Sequence, residues 1–149
     1  MQQDATDDYV TGTGESHTVR EFVENAFNYA GIEIEWRGNG VDEKGIVSSL
    51  ASTLTSTLNI GDVIIEIDSR YFRPTEVDFL LADASKAKQK LGWEPKITFK
   101  ELVKIMLDYD MRIVGLEPVG EGIRVCEERG FTYTNHDFSL FSNSTMIDR

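Results

Sequence analysis

Sulfur and imidazole ligands are scarce in this chain, and their scarcity excludes several kinds of site. The sequence contains one cysteine, Cys126, and two histidines, His17 and His136. A single cysteine cannot build an internal disulfide framework, and this usage is typical of a reducing compartment. No Cys-x-x-Cys or His-x-x-x-His spacing occurs, so we expect no metal site. We expect Cys126 to be a buried or inert thiol, because the sequence positions no histidine to activate it.

Positive charge and long apolar runs are also lacking. Fifteen basic residues stand against 26 acidic ones, which gives a formal net charge of −11. Nucleic acids and anionic membranes are bound by clustered Lys and Arg, so we expect neither as a partner. No apolar run approaches the length of a membrane span, and Gln2-Gln3-Asp4 follows Met1 in place of a signal peptide. The expected location is therefore cytoplasmic.

The residues that are present suffice for one folded domain. The 149 residues are 40% hydrophobic and 28% charged, which is ordinary for a globular protein. Short strand patterns stand between capped helix patterns, and this order predicts a small mixed α/β unit. Residues 1–115 form its main portion, and residues 116–149 are predicted to be an irregular tail in which Ile123 to Arg129 can form one short helix.

Three helices are predicted from local signals. Thr18 with Glu21 has the spacing of a capping box, and Gly31 stands where that helix should stop. A second helix is predicted from Ala84 to about Leu91, with Asp83 as its cap. A third follows a capping box at residues 98 and 101, and its predicted docking face consists of Leu102, Ile105, Met106, Tyr109 and Ile113.

Alternation of apolar and polar residues predicts the strands. We expect strands at Asp8 to Thr11, Ile32 to Trp36 and Val63 to Ile67. The residues from Ser48 to Asn59 are rich in Ser and Thr and lack clean periodicity. We interpret them as a surface hairpin or excursion.

The segment from Arg70 to Glu76 carries the most specific chemistry. Pro74 predicts the first position of a helix, which places Arg73 at the cap. A guanidinium there is unfavourable unless an anion is shared with the free N–H groups of the helix, and a diphosphate would serve. Glu76 would then be placed to accept hydrogen bonds from a ribose diol. The alternative is a surface pair in which Glu76 is a helix acid favoured by the dipole.

Other signals are weaker. Tyr71 and Arg70 are further candidates for ligand binding, although an aromatic residue at such a place can equally be packing. Gly12-x-Gly14 partly matches a dinucleotide fingerprint, but His17 stands where the third glycine is expected, so a tight turn is the more natural role. No tyrosine is followed four residues later by lysine. The chain therefore offers no catalytic residue and no cofactor-binding residue of its own.

Several spaced blocks resemble the carboxy-terminal signature of nucleotide-sugar-modifying extended short-chain dehydrogenases/reductases. The sequence from Asp68 to Val77 is similar to that of the GDP-mannose 4,6-dehydratase family in particular. The resemblance extends from about Gln2 to at least Ile113. Ser69 and Ala82 depart from the family, which usually has Pro and Gly there. The other matching blocks are Asp8-Tyr9-Val10, Thr13-Gly14-Glu15, His17 to Phe22, Asp83 to Lys88 and Leu91 to Pro95.

The resemblance implies a small mixed α/β substrate-binding portion whose Rossmann half is absent from this chain. In the family, a lyase reaction converts GDP-mannose to GDP-4-keto-6-deoxymannose, with NADP taking and returning the hydride. The resemblance implies that Arg73 holds the diphosphate and Glu76 the ribose. NADP would be bound by the full-length enzyme and not by this chain alone, because the missing half carries the cofactor loop and the Tyr and Lys.

Two hypotheses stay open. Met1-Gln2-Gln3 resembles the interior of a helix in the full-length enzyme, so the chain is expected to begin within a parent protein. It would then be a GDP-sugar-binding portion, inactive alone, that self-associates or pairs with the missing half or a sister subunit. The alternative is a non-catalytic interaction or regulatory module derived from the family, or a relative that acts on another sugar nucleotide.

Overall fold

The structure, a computed structural model, describes residues 6–51, 58–71 and 80–131. These residues contain four α-helices and a three-stranded antiparallel sheet, which confirms the predicted mixed α/β class. Contacts divide the chain into two compact units, Met1–Phe99 and Lys100–Arg149. None of the described helices is long and apolar enough to span a membrane. The elements are α1 Val19–Tyr29, β1 Ile32–Arg37, β2 Lys44–Leu50, β3 Val63–Glu66, α2 Ser85–Leu91, α3 Phe99–Ile113 and α4 Glu121–Glu128.

Helix α1 begins and ends where its sequence predicts. The Thr18 side chain accepts a hydrogen bond from the Glu21 backbone N–H at 3.0 Å, which satisfies one of the free donors of the first turn. The Glu21 carboxylate lies against His17. Gly31 follows the last turn with φ +82°, a conformation that glycine adopts without the steric cost that a Cβ brings.

The sheet has the order β1-β2-β3, so β2 is its central strand. The surface excursion predicted from Ser48 is therefore wrong at Ser48 to Leu50, which belong to β2. Val47 is only 1% exposed and forms the centre of the apolar side. The register shifts at Gly45/Ile46 and at Glu33/Ile34. Such shifts interrupt the period of two on which the prediction of strands depends.

The strand predicted at Asp8 to Thr11 is also wrong. These residues have no regular secondary structure, and no described strand pairs with them. They lie against α2, where Lys86 Nζ donates to the Asp8 carbonyl oxygen at 2.8 Å and to Asp7 Oδ1 at 2.5 Å. Alternation alone cannot make a strand, because the ladder hydrogen bonds require a neighbour.

Helix α2 ends at the predicted glycine, but the predicted cap is wrong, because the helix begins at Ser85 and its N-cap is Ala84, which makes no side-chain cap hydrogen bond. Asp83 Oδ1 accepts a hydrogen bond from the Ser85 backbone N–H at 2.9 Å. Gly92 ends the helix in the left-handed conformation, with φ +61°. Ala87 is fully buried on this helix, so α2 is fixed in the first unit by a small apolar contact.

In the second unit α3 buries a different face from the one predicted. The buried residues of α3 are Val103 and Asp108. Leu102, Met106 and Ile113 of the predicted face are each more than 40% exposed. The reason is α4, which packs against the side of α3 that carries Lys104 and Asp108. The helix predicted near Ile123 to Arg129 is α4, and the division at residues 115/116 remains a prediction.

The burial of Val47 yields a direct test of the sheet. Val47→Ala should lower the free energy of unfolding by about 2 kcal/mol, because it removes buried methyl groups from the central strand. Val63→Ala makes the same chemical change on β3, where the side chain is 46% exposed, and should cost less than half as much. Urea unfolding followed by tryptophan fluorescence would measure both. Equal losses would contradict the assignment of β2 as the centre of the sheet.

Candidate functional site

The four predicted ligand-binding residues divide into two pairs. Arg73 and Glu76 lie outside the described residues, so their assignment stays a prediction. Arg70 and Tyr71 are described, and they form a turn after β3 in which the Tyr71 backbone N–H donates to the Asp68 carbonyl at 3.0 Å. The turn places both side chains at the surface.

Arg70 is engaged with a carboxylate of its own chain. Its Nη2 lies 2.6 Å from Asp68 Oδ2, and its Nε lies 3.0 and 3.1 Å from the two Asp68 oxygens. The fork therefore has the bidentate geometry in which guanidinium groups bind carboxylates and phosphates. Arg70 lowers the pKa of Asp68 by hydrogen bonding to its ionised form. An external anion could use this guanidinium only by competing with Asp68.

Tyr71 lies beside this fork. The Arg70 guanidinium carbon is 5.6 Å from the centroid of the Tyr71 ring, within the range of a cation–π contact. The Tyr71 side chain is 78% exposed. A flat ring with so much free surface can stack on a planar group, and it contributes little to the core here.

A cavity of about 620 Å³ lies elsewhere in the first unit. Its described lining does not include Arg70 or Tyr71. The turn of residues 12–14 meets there the residues at both ends of α2, which lie about 70 residues further along the chain, together with one lysine from α2. The lining residues are Gly12, Thr13, Gly14, Leu81, Ala82, Asp83, Ala84, Ser85, Lys88, Trp93, Glu94 and Pro95.

Local contacts fix the walls of the cavity. Lys88 Nζ lies 2.7 Å from Glu94 Oε1, and this contact raises the pKa of Lys88 and lowers that of Glu94. The side chain and backbone N–H of Ser85 lower the pKa of Asp83. Gly12 approaches Ala82 so closely that an added Cβ would lie 2.5 Å from the Ala82 Cβ. Glycine at position 12 therefore allows the turn to approach the opposite wall.

The segment before this turn is held by charge. Asp7 accepts hydrogen bonds from Lys86 and from Lys90, at 2.5 and 3.3 Å. Chiefly through Lys86, these contacts lower the pKa of Asp7 to about 2. The Lys86 ammonium also lies 5.1 Å from the centroid of the Tyr9 ring. These contacts join the segment before Gly12 to α2.

The described residues contain no group of three or more His, Cys, Asp and Glu side chains that could hold a metal ion. Cys126 is buried on α4, as predicted. Burial raises the pKa of its thiol, with smaller contributions from Asp108 and Glu127. The thiol is therefore protonated at neutral pH, which is the opposite of what a nucleophile requires.

Sequence reasoning did not predict the cavity. It assigned Asp83 and Gly14 local roles, as a helix cap and a turn; Gly14 has the positive φ of a turn, whereas Asp83 precedes the N-cap Ala84 and binds the Ser85 backbone N–H. The sequence signal that could have indicated the cavity was that residues 12–14, 83–88 and 93–95 all belong to the blocks that match the family. Their meeting in one wall is a tertiary property that no local pattern reports.

Comparison with known proteins assigns the chain to a family. The sequence model described as GDP-mannose 4,6 dehydratase matches residues 1–106. A GDP-mannose 4,6-dehydratase of Vibrio cholerae is 46% identical over 113 residues, which are 76% of this chain and 30% of that protein. The GDP-mannose 4,6 dehydratase of Drosophila melanogaster is 45% identical over 119 residues, 80% of this chain and 28% of that protein.

A human relative gives the same result. The GDP-mannose 4,6 dehydratase of Homo sapiens is 42% identical over 118 residues, 79% of this chain and 29% of that protein. The chain thus spans about 30% of the length of the curated relatives that it matches.

Proposed function

Because this chain belongs to the GDP-mannose 4,6-dehydratase family, we propose that it is the GDP-sugar-binding portion of an enzyme that converts GDP-mannose to GDP-4-keto-6-deoxymannose. One observation carries the proposal: the segment from Arg70 to Glu76 lies within the matched residues and combines two arginines, a proline and a glutamate at ligand-binding spacing. The acidic net charge adds to this, since an anionic ligand must then be held by a few placed cations.

The roles follow from the chemistry of each side chain. Arg73 binds the diphosphate through its planar fork, at the start of the helix that Pro74 predicts. Glu76 accepts hydrogen bonds from the ribose diol. Arg70 and Tyr71 flank this site, and Arg70 can reach a phosphate by exchanging Asp68 for it.

The remaining chemistry belongs to the rest of a full-length protein. NADP and the tyrosine and lysine that move the proton are assigned to that part, because no tyrosine of this chain precedes a lysine by four residues. The chain alone is therefore inactive and binds no NADP. Its partners are the remaining part of the enzyme, a sister subunit or a second copy, and its proposed location is the cytoplasm.

A second candidate is a non-catalytic interaction module derived from the same family. The exposed apolar side chains of α3 favour it, because Leu102, Met106 and Ile113 are 45%, 43% and 42% exposed. Apolar surface of this kind is typical of a face that contacts another protein. Such a module could bind a dehydratase subunit or a sugar nucleotide without catalysing a reaction.

Substitution of Arg73 tests the ligand site. In a full-length protein that carries this chain, Arg73→Lys should weaken GDP binding by about 1.5 to 3 kcal/mol, because it keeps the charge and loses the bidentate hydrogen bonds. This corresponds to about 10- to 150-fold in the dissociation constant, which calorimetric titration would measure. Glu76→Gln should weaken GDP binding by less than Arg73→Lys does, because glutamine keeps the shape of the group that accepts the ribose hydrogen bonds.

Arg37→Lys is the matched control, since Arg37 binds Glu35 on the exposed side of β1. It should leave GDP affinity unchanged. If Arg73→Lys and Glu76→Gln also leave it unchanged, the segment is a structural helix start and the proposed site is wrong. A turnover assay of the chain alone separates the two halves of the proposal, because a 4-keto product above the protein-free control would contradict its inactivity.

A further inference from the structure

The His17 ring lies between two carboxylates. Its Nδ1 is 3.0 Å from Glu21 Oε2, and its Nε2 is 3.3 Å from Glu15 Oε2. Glu21 is in the first turn of α1, whereas Glu15 precedes the helix. The His17 side chain is 24% exposed, so its contact with Glu21 is partly shielded from water, whereas the contact with Glu15 is exposed.

Only a protonated ring satisfies both contacts. Neutral imidazole carries one N–H and one lone pair, so in that form one nitrogen would turn its lone pair towards an ionised carboxylate. Imidazolium has two N–H groups and can donate to Glu15 and Glu21 together. Hydrogen bonding to Glu21, and to a lesser degree Glu15, raises the pKa of His17.

The ring is also stacked on an aromatic face. The centroids of His17 and Phe99 are 3.8 Å apart, and the two ring planes differ by 7°. Phe22 of α1 meets the edge of Phe99 at 6.3 Å. The face of a phenyl ring attracts a cation, so this stacking favours the same protonated form that the two carboxylates favour.

Glu15 connects His17 to the cavity. The Glu15 backbone N–H donates to Thr13 Oγ1 at 3.2 Å, and Thr13 lies between Gly12 and Gly14 in the cavity wall. Gly14 has φ +76° and lends the turn conformational freedom. The contact from Glu15 to His17, together with the one from His17 to Glu21, ties this turn to α1.

We propose that His17 is a proton-operated clamp, which as imidazolium holds the turn of residues 12–15 against the start of α1 and frees that turn when it loses its proton. The clamp sets the position of one wall of the cavity. It does not depend on the sugar-nucleotide function, because none of its groups belongs to the segment from Arg70 to Glu76.

The direction of the pH effect follows from the groups around the ring. Glu15 faces it from the turn and Glu21 from α1, while the uncharged ring of Phe99, the last residue of the first unit, stacks on it. The folded-state pKa of His17 lies above its ordinary value of 6.5. The stabilisation is therefore fully present below pH 6.5 and is lost as the pH rises through the folded-state pKa.

NMR titration of the full chain between pH 5 and 9 tests the clamp. We expect the His17 imidazole to titrate above 6.5 and the backbone amide signals of Thr13 to Glu15 to shift with the same midpoint. Glu21→Gln and Glu15→Gln should each lower that midpoint, Glu21→Gln more strongly. Glu24→Gln is the matched control, since Glu24 binds the Trp36 indole and should leave the midpoint unchanged. His136→Gln distinguishes the two histidines.

Two results would overturn the proposal. A His17 midpoint at or below 6.5 that neither glutamine variant moves would mean that the ring is not held as imidazolium. Turn amides that do not follow the His17 midpoint would mean that the ring titrates without holding the turn. Neither outcome requires a histidine variant to fold, because the wild-type chain and the two glutamine variants supply both measurements.

Discussion

Asp108→Asn should lower the free energy of unfolding by about 3 kcal/mol, a large effect for a substitution that hardly changes size. The Asp108 side chain is fully buried on α3. Its carboxylate accepts hydrogen bonds from the backbone N–H groups of Gly120, Gly122 and Ile123 at 2.8 to 3.1 Å. Asp108 thus caps α4 from another helix, and α4 has no side-chain cap of its own at Gly120.

The magnitude follows from the charge that the substitution removes. Hydrogen bonds to an ionised group contribute about 1.5 to 3 kcal/mol, and buried donors left without a partner cost about as much. Asparagine keeps one oxygen but directs an NH₂ group towards N–H donors. With the asparagine oxygen at the Oδ2 position, the NH₂ group faces the Gly120 N–H, and the bonds from Gly122 and Ile123 lose the charge of their acceptor.

The measurement is urea unfolding followed by far-UV circular dichroism, which reports all helices. Tryptophan fluorescence gives a second signal, because Trp36 and Trp93 both lie in the first unit. Asp110→Asn is the matched control, since it makes the same change at an exposed position of the same helix. It should cost less than about 0.5 kcal/mol. Equal losses in both variants would contradict the role of Asp108 as a cap.

Asp108 also marks the limit of what the sequence reveals about the fold. Thr18 could be predicted as a cap, and Asp83 as a residue near the start of α2, because each oxygen and its donor lie within three residues along the chain. The donors that Asp108 meets lie 12 to 15 residues further on. Nothing in the local pattern reports such a distance, so the docking face of α3 was predicted from apolar spacing alone.

The strands of the sheet likewise differ in how well the sequence predicts them. β1 alternates in sequence and was predicted, as was the shorter β3, whereas β2 was partly assigned to a surface excursion. A central strand is defined by its two neighbours more than by its own alternation, and the register shift at Gly45/Ile46 disturbs what alternation there is. Asp8 to Thr11 shows the converse case, in which alternation occurs without a neighbour.

The candidate site could be predicted only where its chemistry is local. The roles of Arg73 and Glu76 rest on Pro74 between them and on the resemblance to the family, and both are visible in the sequence. The clamp on His17 combines two contacts. One is with Glu21, four residues further along the chain, and the other is with the ring of Phe99, which is far away in sequence. The first could have been noticed in the sequence, and the second required the fold.

Helix α4 lies very close to α3 at Gly122, which is buried. A Cβ added there would lie 2.5 Å from the Ile105 backbone nitrogen and still closer to the Lys104 carbonyl group. These are backbone atoms of α3, which cannot turn aside as the end of a flexible side chain can. A methyl group at position 122 therefore has to push α4 away from α3, which also separates Gly122 and Ile123 from Asp108.

Gly122→Ala should accordingly lower the free energy of unfolding by about 3 kcal/mol or more, since it adds overpacking to the loss of the Asp108 bonds. Helix propensity alone predicts the opposite sign, a gain of up to about 1 kcal/mol. Urea unfolding followed by circular dichroism distinguishes the two by sign. Glu128→Ala, at an exposed position of α4, should stay within about 0.5 kcal/mol of wild type. A Gly122→Ala chain that is more stable than wild type would refute the close packing of α4 on α3.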